Sequence, residues 1–540
     1  MPRRRELLEQ VHTLTGRQAQ DWVDAASSIK GLSPGSPLVG EEWLSGPYAL
    51  LTALAALIES LRALERGGSP VDGFGFGRAP GGRVSVRALP HTIFDRLLLS
   101  GFSAEVWMPP GVDEATVRAG AGLAERDPRQ TQGIAVVLGA GNITSIPPLD
   151  VIYELYAHNR VVALKLNPVT DGLLGVFEKI FQPLTDLGVL RFVTGGADVG
   201  GYLVQHPDVA QVHMTGSAAT HDAIVFGTGP ERVQRKAGNH PLLTKPITSE
   251  LGGVSPIVVL PGLWSPADLK FQAEHVATMR LHNGGYNCIA GQVLVLSSDW
   301  AQKDEFLAEV RAALRRAPAR PAYYPGSDQR LEQAIKAYPA AERLGPDQGR
   351  VLVRADAADR APLLNTEFFA PVLGVIELPG TGAEFFAAAV ATANDDFTGT
   401  LGANVIVHPR TLGQLGESFD RILADLRYGC IAVNAWTGVG YFIPTASWGA
   451  FPGHTLDDVQ SGIGVVHNAL LLDGPERTVV RGPFRPAPRA VLHGERSILP
   501  KPPWFVSNRT AAATARALTA FGAAPGWGKL PRIFASALRG

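Results

Sequence analysis

Between Gly133 and Met214 the chain repeats one pattern, a short apolar run followed by a turn and a helical stretch. The apolar runs are Ile134–Leu138, Val161–Leu164, Leu190–Thr194 and Val209–Met214. Pro147 and Pro148 open a helix that runs through His158, since a first-turn proline loses no helical hydrogen bond. Another helix lies around Gly200–His206. Short apolar strands separated by helices require a parallel sheet covered on both faces. The fold class is therefore α/β. A second α/β unit starts near Pro256, with strand Ile257–Leu260 and a helix opening at Ser265–Pro266, and continues to about Leu426. A chain of 540 residues exceeds one hydrophobic core, so two or three domains are expected.

The flanking segments read differently. The first hundred residues look like helices broken by Gly/Pro loops at Gly67–Gly77 and Ala79–Arg83. Within them, Tyr48–Leu64 is apolar enough to suggest a membrane segment, but it is short and carries Glu59 and Arg62. Leu50, Leu54, Leu57, Ile58, Leu61 and Leu64 recur at helical spacing, and Gly67–Gly68 supply a stop, so a buried helix is expected. Val112–Gly133 reads as helical and charged, and Gly227–Pro246 as a long basic surface loop. From Gly474 onward the chain is rich in Pro and Arg, and PKPPWF at 500–505 reads as a surface extension facing a neighbouring subunit. These readings divide the chain into 1–255, 256–430, a return segment 431–473 and an extension 474–540. A formal net charge of -1 gives no electrostatic case for nucleic acid or an anionic membrane. Arg3–Arg5 is followed by no apolar stretch, so no signal peptide is expected.

Two cysteines exclude a disulfide framework or a cysteine-rich zinc site and suit a reducing cytoplasm. Cys288 lies in HNGGYNCIAGQVLVL, on a glycine-rich loop between a helix ending at Asn283–Gly285 and a strand starting near Gln292. A thiol there can face a cleft, with its own backbone N–H free to meet an oxyanion; burial as a structural cysteine is the competing reading. Cys430, in YGCIAVN, enters an apolar run and reads as core. Glu250 precedes Gly252 and Gly253 in SELGGVSPIVV, and Thr215–Gly216–Ser217 follows a strand and opens a helix, where backbone N–H groups can face a phosphate.

Taken together, these pieces resemble the aldehyde dehydrogenase superfamily. Asn142 in GAGN, Lys165 in VVALKLNP, TGS at 215–217, Glu250 in ELGG, Cys288 in its glycine loop and Glu367 in TEFFAPV occur in the family's order, from about Gly133 to about Asn468. The resemblance implies a Rossmann-like cofactor domain, an α/β catalytic domain and a small bridging or oligomerisation element. It implies a homo-oligomer, with a dimer expected, and a small-molecule aldehyde as substrate. Cys288 would attack the carbonyl, Asn142 and the Cys288 N–H would hold the oxyanion, and Glu250 would activate water. NAD or NADP would be held by Lys165 and Gly196 on the adenosine side, Gly216 and Ser217 at the pyrophosphate, and Glu367 with Phe369 at the nicotinamide ribose and ring. No metal is implied. Pro168 stands where NAD-preferring relatives often carry a glutamate, which removes a barrier to NADP; Lys165 or a basic residue of 227–246 would meet its extra phosphate. Gly141 and Tyr286–Asn287 depart from the family's commoner residues, and His221, where a helix glycine is usual, is expected on the helix surface. An acylating enzyme that passes the acyl group to coenzyme A, and an inactive scaffold, are the alternatives. Trp436, Tyr441 and Phe442 are candidates for an apolar entrance.

Overall fold

The computed structural model describes all 540 residues and resolves the two α/β units into two sheets. The first sheet has six strands, in the spatial order 462–463, 247–251, 209–216, 134–138, 161–165 and 190–193. All neighbours are parallel except Gly462–Ile463, which runs against Ile247–Leu251. The four apolar runs of the sequence are strands of this sheet, and helices Ile146–Ala157 and Ala197–Gln205 pack on it. From Ile134–Leu138 the chain first adds strands on one side and then returns to add the others on the opposite side. Loops leaving the carboxyl ends diverge at such a reversal and leave a crevice.

The second sheet has eleven strands, and its seven central ones are parallel: 477–481, 430–433, 402–406, 255–259, 291–297, 372–378 and 350–354. Ser255–Val259, Gly291–Ser297 and Gly402–Ile406 are buried along their whole length, which is why they show no polar alternation.

The run Val39–Glu65 is long and apolar enough to cross a membrane by length and composition, yet two thirds (67%) of its most apolar stretch is buried inside the fold. Leu50, Leu54, Leu57 and Leu61 pack with Val137, Leu149 and Leu164 of the first sheet's core. Each such side chain contributes about 1.5–3 kcal/mol by leaving water. Pro47 sits in a π-turn at Leu44–Tyr48, a widening that absorbs the missing N–H and leaves the Ser45 carbonyl free to accept from Ser145 Oγ at 2.7 Å.

Several expectations give way here. The first hundred residues are not all helical: Phe76–Ala79 and Arg83–Leu89 form a hairpin, and Ser103–Trp107 ties it to the second sheet by pairing with Arg477–Arg481. Gly and Arg dilute the alternation in FGRAPGGRVSVRAL, although Val86 and Ala88 are buried. A division at 255 falls at the start of strand Ser255–Val259, just after Ile247–Leu251 of the first sheet, but it leaves 76–107 and 462–463 each apart from the sheet it joins. Segment 474–540 begins with a strand in the body of the second sheet. Its PKPPWF stretch is no surface extension, because Trp504, Phe505 and Val506 are buried in the core. Helix Ala511–Ala523 then packs on Val39–Trp43, where a Cβ on Gly40 would collide with the Ala511 backbone. Gly227–Pro246 contains a helix, Glu231–Ala237. Val112–Gly133 is helical in part, at Glu114–Gly120 and a 3-10 turn at Leu123–Arg126.

Candidate active site

Cys288 owes its place to a helix that stops abruptly. Helix Pro266–Leu281 starts at a capping box between Ser265 and Asp268. Past its end, Asn283, Gly284 and Gly285 take φ values of 53°, 69° and 83°. Such left-handed backbone is open to glycine and tolerated by asparagine, and it turns the chain back towards strand Gly291–Ser297. Cys288 sits on this turn, half-buried, in the crevice between the sheets. Cys430 is fully buried at the start of a central strand, as expected.

Glu250 reaches the same point from the first sheet. It lies on strand Ile247–Leu251 and is buried, and the Cys288 thiol donates to its Oε1 at 2.9 Å. Burial raises the Glu250 carboxyl above the usual carboxylate range. The thiol is pushed well above its ordinary value, first by burial and then by the Glu250 charge. The contact thus joins two groups that each resist ionisation. Asn142, on the loop after Ile134–Leu138, donates from Nδ2 to the Tyr286 carbonyl at 2.9 Å. A primary amide has a second N–H, which this contact leaves available. Beside Glu250 and Cys288 lies a cavity of ≈ 30 Å³, walled by Ile143, Trp436, Tyr441, Phe442 and Trp448. The three aromatic residues suspected from the sequence do line it.

The expected cofactor residues lie along the carboxyl ends of the first sheet and on a facing loop of the second unit. Lys165 ends strand Val161–Lys165 and is buried, so it is no solvent-facing lysine; burial lowers its pKa. Gly196 and Ser217 are the N-caps of helices Ala197–Gln205 and Ala218–Phe226, and Gly216, Gly196 and Ser217 are all exposed. Glu367 reaches over Gly252, where any Cβ would overlap its carboxylate. Its Oε1 is buried with no hydrogen-bond partner, and burial pushes its pKa up to about 7. Phe369 has a φ of 43°, an uncommon conformation for a bulky residue, with Tyr286 and Tyr324 at 5.9 and 4.9 Å between ring centroids. An orphaned carboxylate oxygen, two open helix N-termini and a buried strand-end lysine fit a dinucleotide with ribose hydroxyls and a pyrophosphate.

The surroundings correct two details. His221 is fully buried, with Asp222 3.5 Å from its Nδ1, and does not lie on the helix surface. Of the basic residues in 227–246, Lys236 pairs with Asp222 at 2.8 Å, Arg235 pairs with Glu231, and Lys245 donates to the Val204 and His206 carbonyls. Arg232, the remaining Arg or Lys of the segment, has no such partner. Gly141 leaves no room for a side chain, because a Cβ there would lie within 2.9 Å of the Asn167 amide.

Sequence reasoning missed the support beneath the loop. Asn283 Oδ1 accepts from Lys30 Nζ at 3.0 Å, Arg320 Nη2 at 3.2 Å and Tyr323 OH at 3.1 Å. Its Nδ2 donates to the carbonyls of Asn142 and Tyr286, both at 3.1 Å, and its backbone N–H donates to Glu41 Oε2 at 2.9 Å. Lys30 and Glu42 form a buried ion pair at 2.9 Å, and Arg320 bridges Glu41 and Glu42. A second buried group, Asp150 with His213 and His467 at 3.5 and 3.4 Å, lies beneath Glu250; burial opposes the Asp150 charge, but both histidines hold the carboxyl below its usual range. No local pattern marks these residues, since their partners lie from a dozen to more than three hundred positions away. Asp268, His408 and His493 also bring ligand-type atoms within 4.8 Å of one another. Asp268 is committed to Arg485 at 3.1 Å, however, and His408 Nδ1 accepts from the Arg410 N–H at 3.1 Å, which in the neutral ring places the proton on Nε2.

Comparison with known proteins points to one family. Residues 134–328 match the model of the aldehyde dehydrogenase family. The N-succinylglutamate 5-semialdehyde dehydrogenase of Sphingopyxis alaskensis is 27% identical over 338 residues, covering 58% of this chain and 63% of that one. The D-glyceraldehyde dehydrogenase (NADP(+)) of Thermoplasma acidophilum is 34% identical over 169 residues, 31% of each chain. The chain thus spans less than two thirds of the length of these curated relatives. In structure, the gamma-glutamyl-gamma-aminobutyraldehyde dehydrogenase from Burkholderia cenocepacia J2315 superposes with a TM-score of 0.58 at 19% identity, covering 89% of this chain and 84% of that one. The fold is that of the aldehyde dehydrogenases, and residues 134–328 are similar in sequence to that family.

Proposed function

We propose that the protein oxidises an aldehyde to the carboxylic acid with NAD or NADP, using Cys288 as nucleophile. The observation that carries this reading is the 2.9 Å contact between the Cys288 thiol and Glu250, with Asn142 hydrogen-bonded across to the Cys288 loop at Tyr286. The contact spans the two sheets, so each unit supplies part of one site. Glu250 stands ready to take the thiol proton as sulfur bonds to the carbonyl carbon, giving a thiohemiacetal. The oxygen gains negative charge in that step, and the free N–H of Asn142 with the Cys288 backbone N–H offers it two donors. When bound, the nicotinamide supplies the acceptor for the hydride that leaves carbon, which makes the acyl group a thioester on Cys288. Glu250 releases the thiol's proton to solvent and, as carboxylate again, withdraws a proton from water, whose oxygen bonds to the acyl carbon and expels the Cys288 sulfur as thiolate. A carboxyl raised by burial is a stronger base than an exposed one, which suits both proton transfers. The cavity of ≈ 30 Å³ at this point is large enough for a water-sized group.

The test is NAD(P)H formation from a panel of aldehydes without coenzyme A, beside a Cys288→Ala control. Turnover by the parent and none by the variant is the expected result. A strict requirement for coenzyme A would replace hydrolysis by acyl transfer. Equal rates for parent and variant would remove the thiol from the mechanism.

A further inference from the structure

Phe442 has two sides. One faces the small cavity beside Cys288, and the other helps to wall a second cavity of ≈ 670 Å³. The space is partly open to solvent and falls in the size range of small-molecule sites. Its walls come largely from segments outside the family match. They include Ala56 and Ala63 on helix Ala49–Glu65, Phe94 and Leu98 on the short helix Ile93–Leu98, and Phe521 and Phe534 on the two C-terminal helices. The lining is mainly apolar, with charged groups such as Glu59, Arg66 and Lys501 among it. Apolar surface continues outward: Trp527, 61% exposed, packs on Phe94 at 5.1 Å between centroids. Ile93 and Leu538, next in sequence to lining residues, are 52% and 69% exposed.

We infer that this cavity receives the hydrocarbon chain of the substrate, and that the protein acts on long-chain aliphatic aldehydes whose carbonyl end passes Phe442 to reach Cys288. The inference rests on the proposed aldehyde oxidation and adds the substrate class. Adjacency to the site favours this occupant. Phe442 lines both cavities, so the larger space lies one side chain away from the cavity beside Cys288. Size agrees as well. An apolar cavity of about 150 Å³ takes up benzene, so the space here accommodates a chain of roughly a dozen carbons with room to spare. Each methylene buried there is worth roughly fourfold in kcat/KM or affinity.

Two readouts test this in the full-length protein. The first is kcat/KM for propanal and dodecanal in the parent and in Ala56→Phe and Ala63→Phe, which place a ring in the cavity from two turns of one helix. Dodecanal is expected to be preferred by the parent at least tenfold, and the dodecanal-to-propanal ratio to fall at least tenfold in both variants. The second needs no turnover: cis-parinaric acid, a fluorescent polyene fatty acid, is titrated into Cys288→Ala with and without Ala56→Phe. Binding by the first protein, weakened at least tenfold in the second, is expected. A ratio within twofold of the parent together with unaltered probe binding would overturn the inference. So would a cavity occupied by a second copy of the chain, shown by Ala56→Phe converting a dimer to monomer on light scattering while probe binding persists. Should the parent oxidise no aldehyde at all, the proposed activity fails, and the probe titration still decides whether the cavity takes an alkyl chain.

Discussion

Glu367 offers a prediction in which stability and function oppose each other. Its carboxyl is buried, Oε1 has no partner, and its pKa stands at about 7 against an ordinary 4.5. The difference makes ionising Glu367 in the folded protein costlier by about 3 kcal/mol than in the unfolded chain. Because the folded pKa is the higher one, the associated stability is fully present below pH 4.5 and is lost as pH rises through 7. Glu367→Gln removes the titrating group and keeps the shape. Relative to the parent, the variant should gain little near pH 4.5 and about 3 kcal/mol by pH 8. Spread over the unfolding entropy of the whole chain, this is a Tm increase of about 3 °C at pH 8. The measurement is differential scanning calorimetry without cofactor at both pH values. Titration of NAD and NADP should then raise the Tm of the parent and raise that of the variant far less, since the partnerless oxygen is the atom offered to the ribose hydroxyls. An advantage for Gln that is equal at pH 4.5 and pH 8 would refute the buried-carboxylate argument. An undiminished cofactor response in the variant would refute its assignment to the ribose.

The Cys288–Glu250 pair gives a second pH test. Glu250→Gln removes the charge that helps lift the thiol, so the midpoint of iodoacetamide alkylation at Cys288 should move to lower pH, while buried Cys430 stays unlabelled; a midpoint at or above the parent's would contradict the geometry. The same variant should yield at most about one equivalent of NAD(P)H per chain and no steady state, because hydrolysis loses its base. Beneath the loop, Lys30→Met leaves the buried Glu42 with one cationic partner fewer and should cost about 3 kcal/mol in chemical denaturation. Lys30→Met/Glu42→Gln should recover more than half of that, and a double variant no more stable than the single one would place the cost elsewhere.

How much of this was legible depended on the distance over which each signal acts. Short, largely buried apolar strands announce themselves locally, so Ile134–Leu138, Val161–Leu164 and Ile257–Leu260 could be read to within two residues of the strands observed. The hairpin at 76–89 could not, since its strands are short, Gly- and Arg-bearing, and joined to the sheet only through Ser103–Trp107, which itself pairs with residues near 480. Arg477–Arg481 looked like part of a polar tail because it begins and ends in arginine, yet its Thr-Val-Val centre lies inside the second sheet. At the site, motif order named Cys288, Glu250 and Asn142, and the fold brings them together. Lys30, Glu41, Glu42 and Arg320 carry no local sign, because each is explained only by the charge it meets across the fold.

That buried cluster also explains why the N-terminal helices belong to the site and not merely to its shell. Left-handed backbone costs an asparagine roughly 1 kcal/mol, so the turn at 283–285 would not hold Cys288 in place unaided. Asn283 is fixed instead by Lys30 and Glu41 from the N-terminal layer and by Arg320 and Tyr323 from the second unit. Its amide then passes that constraint to the carbonyls of Asn142 and Tyr286. The donor intended for the oxyanion and the loop bearing the thiol thus hang on one side chain. A charge removed some distance from the sulfur would accordingly be felt as misalignment of both, before any loss of the sheets themselves.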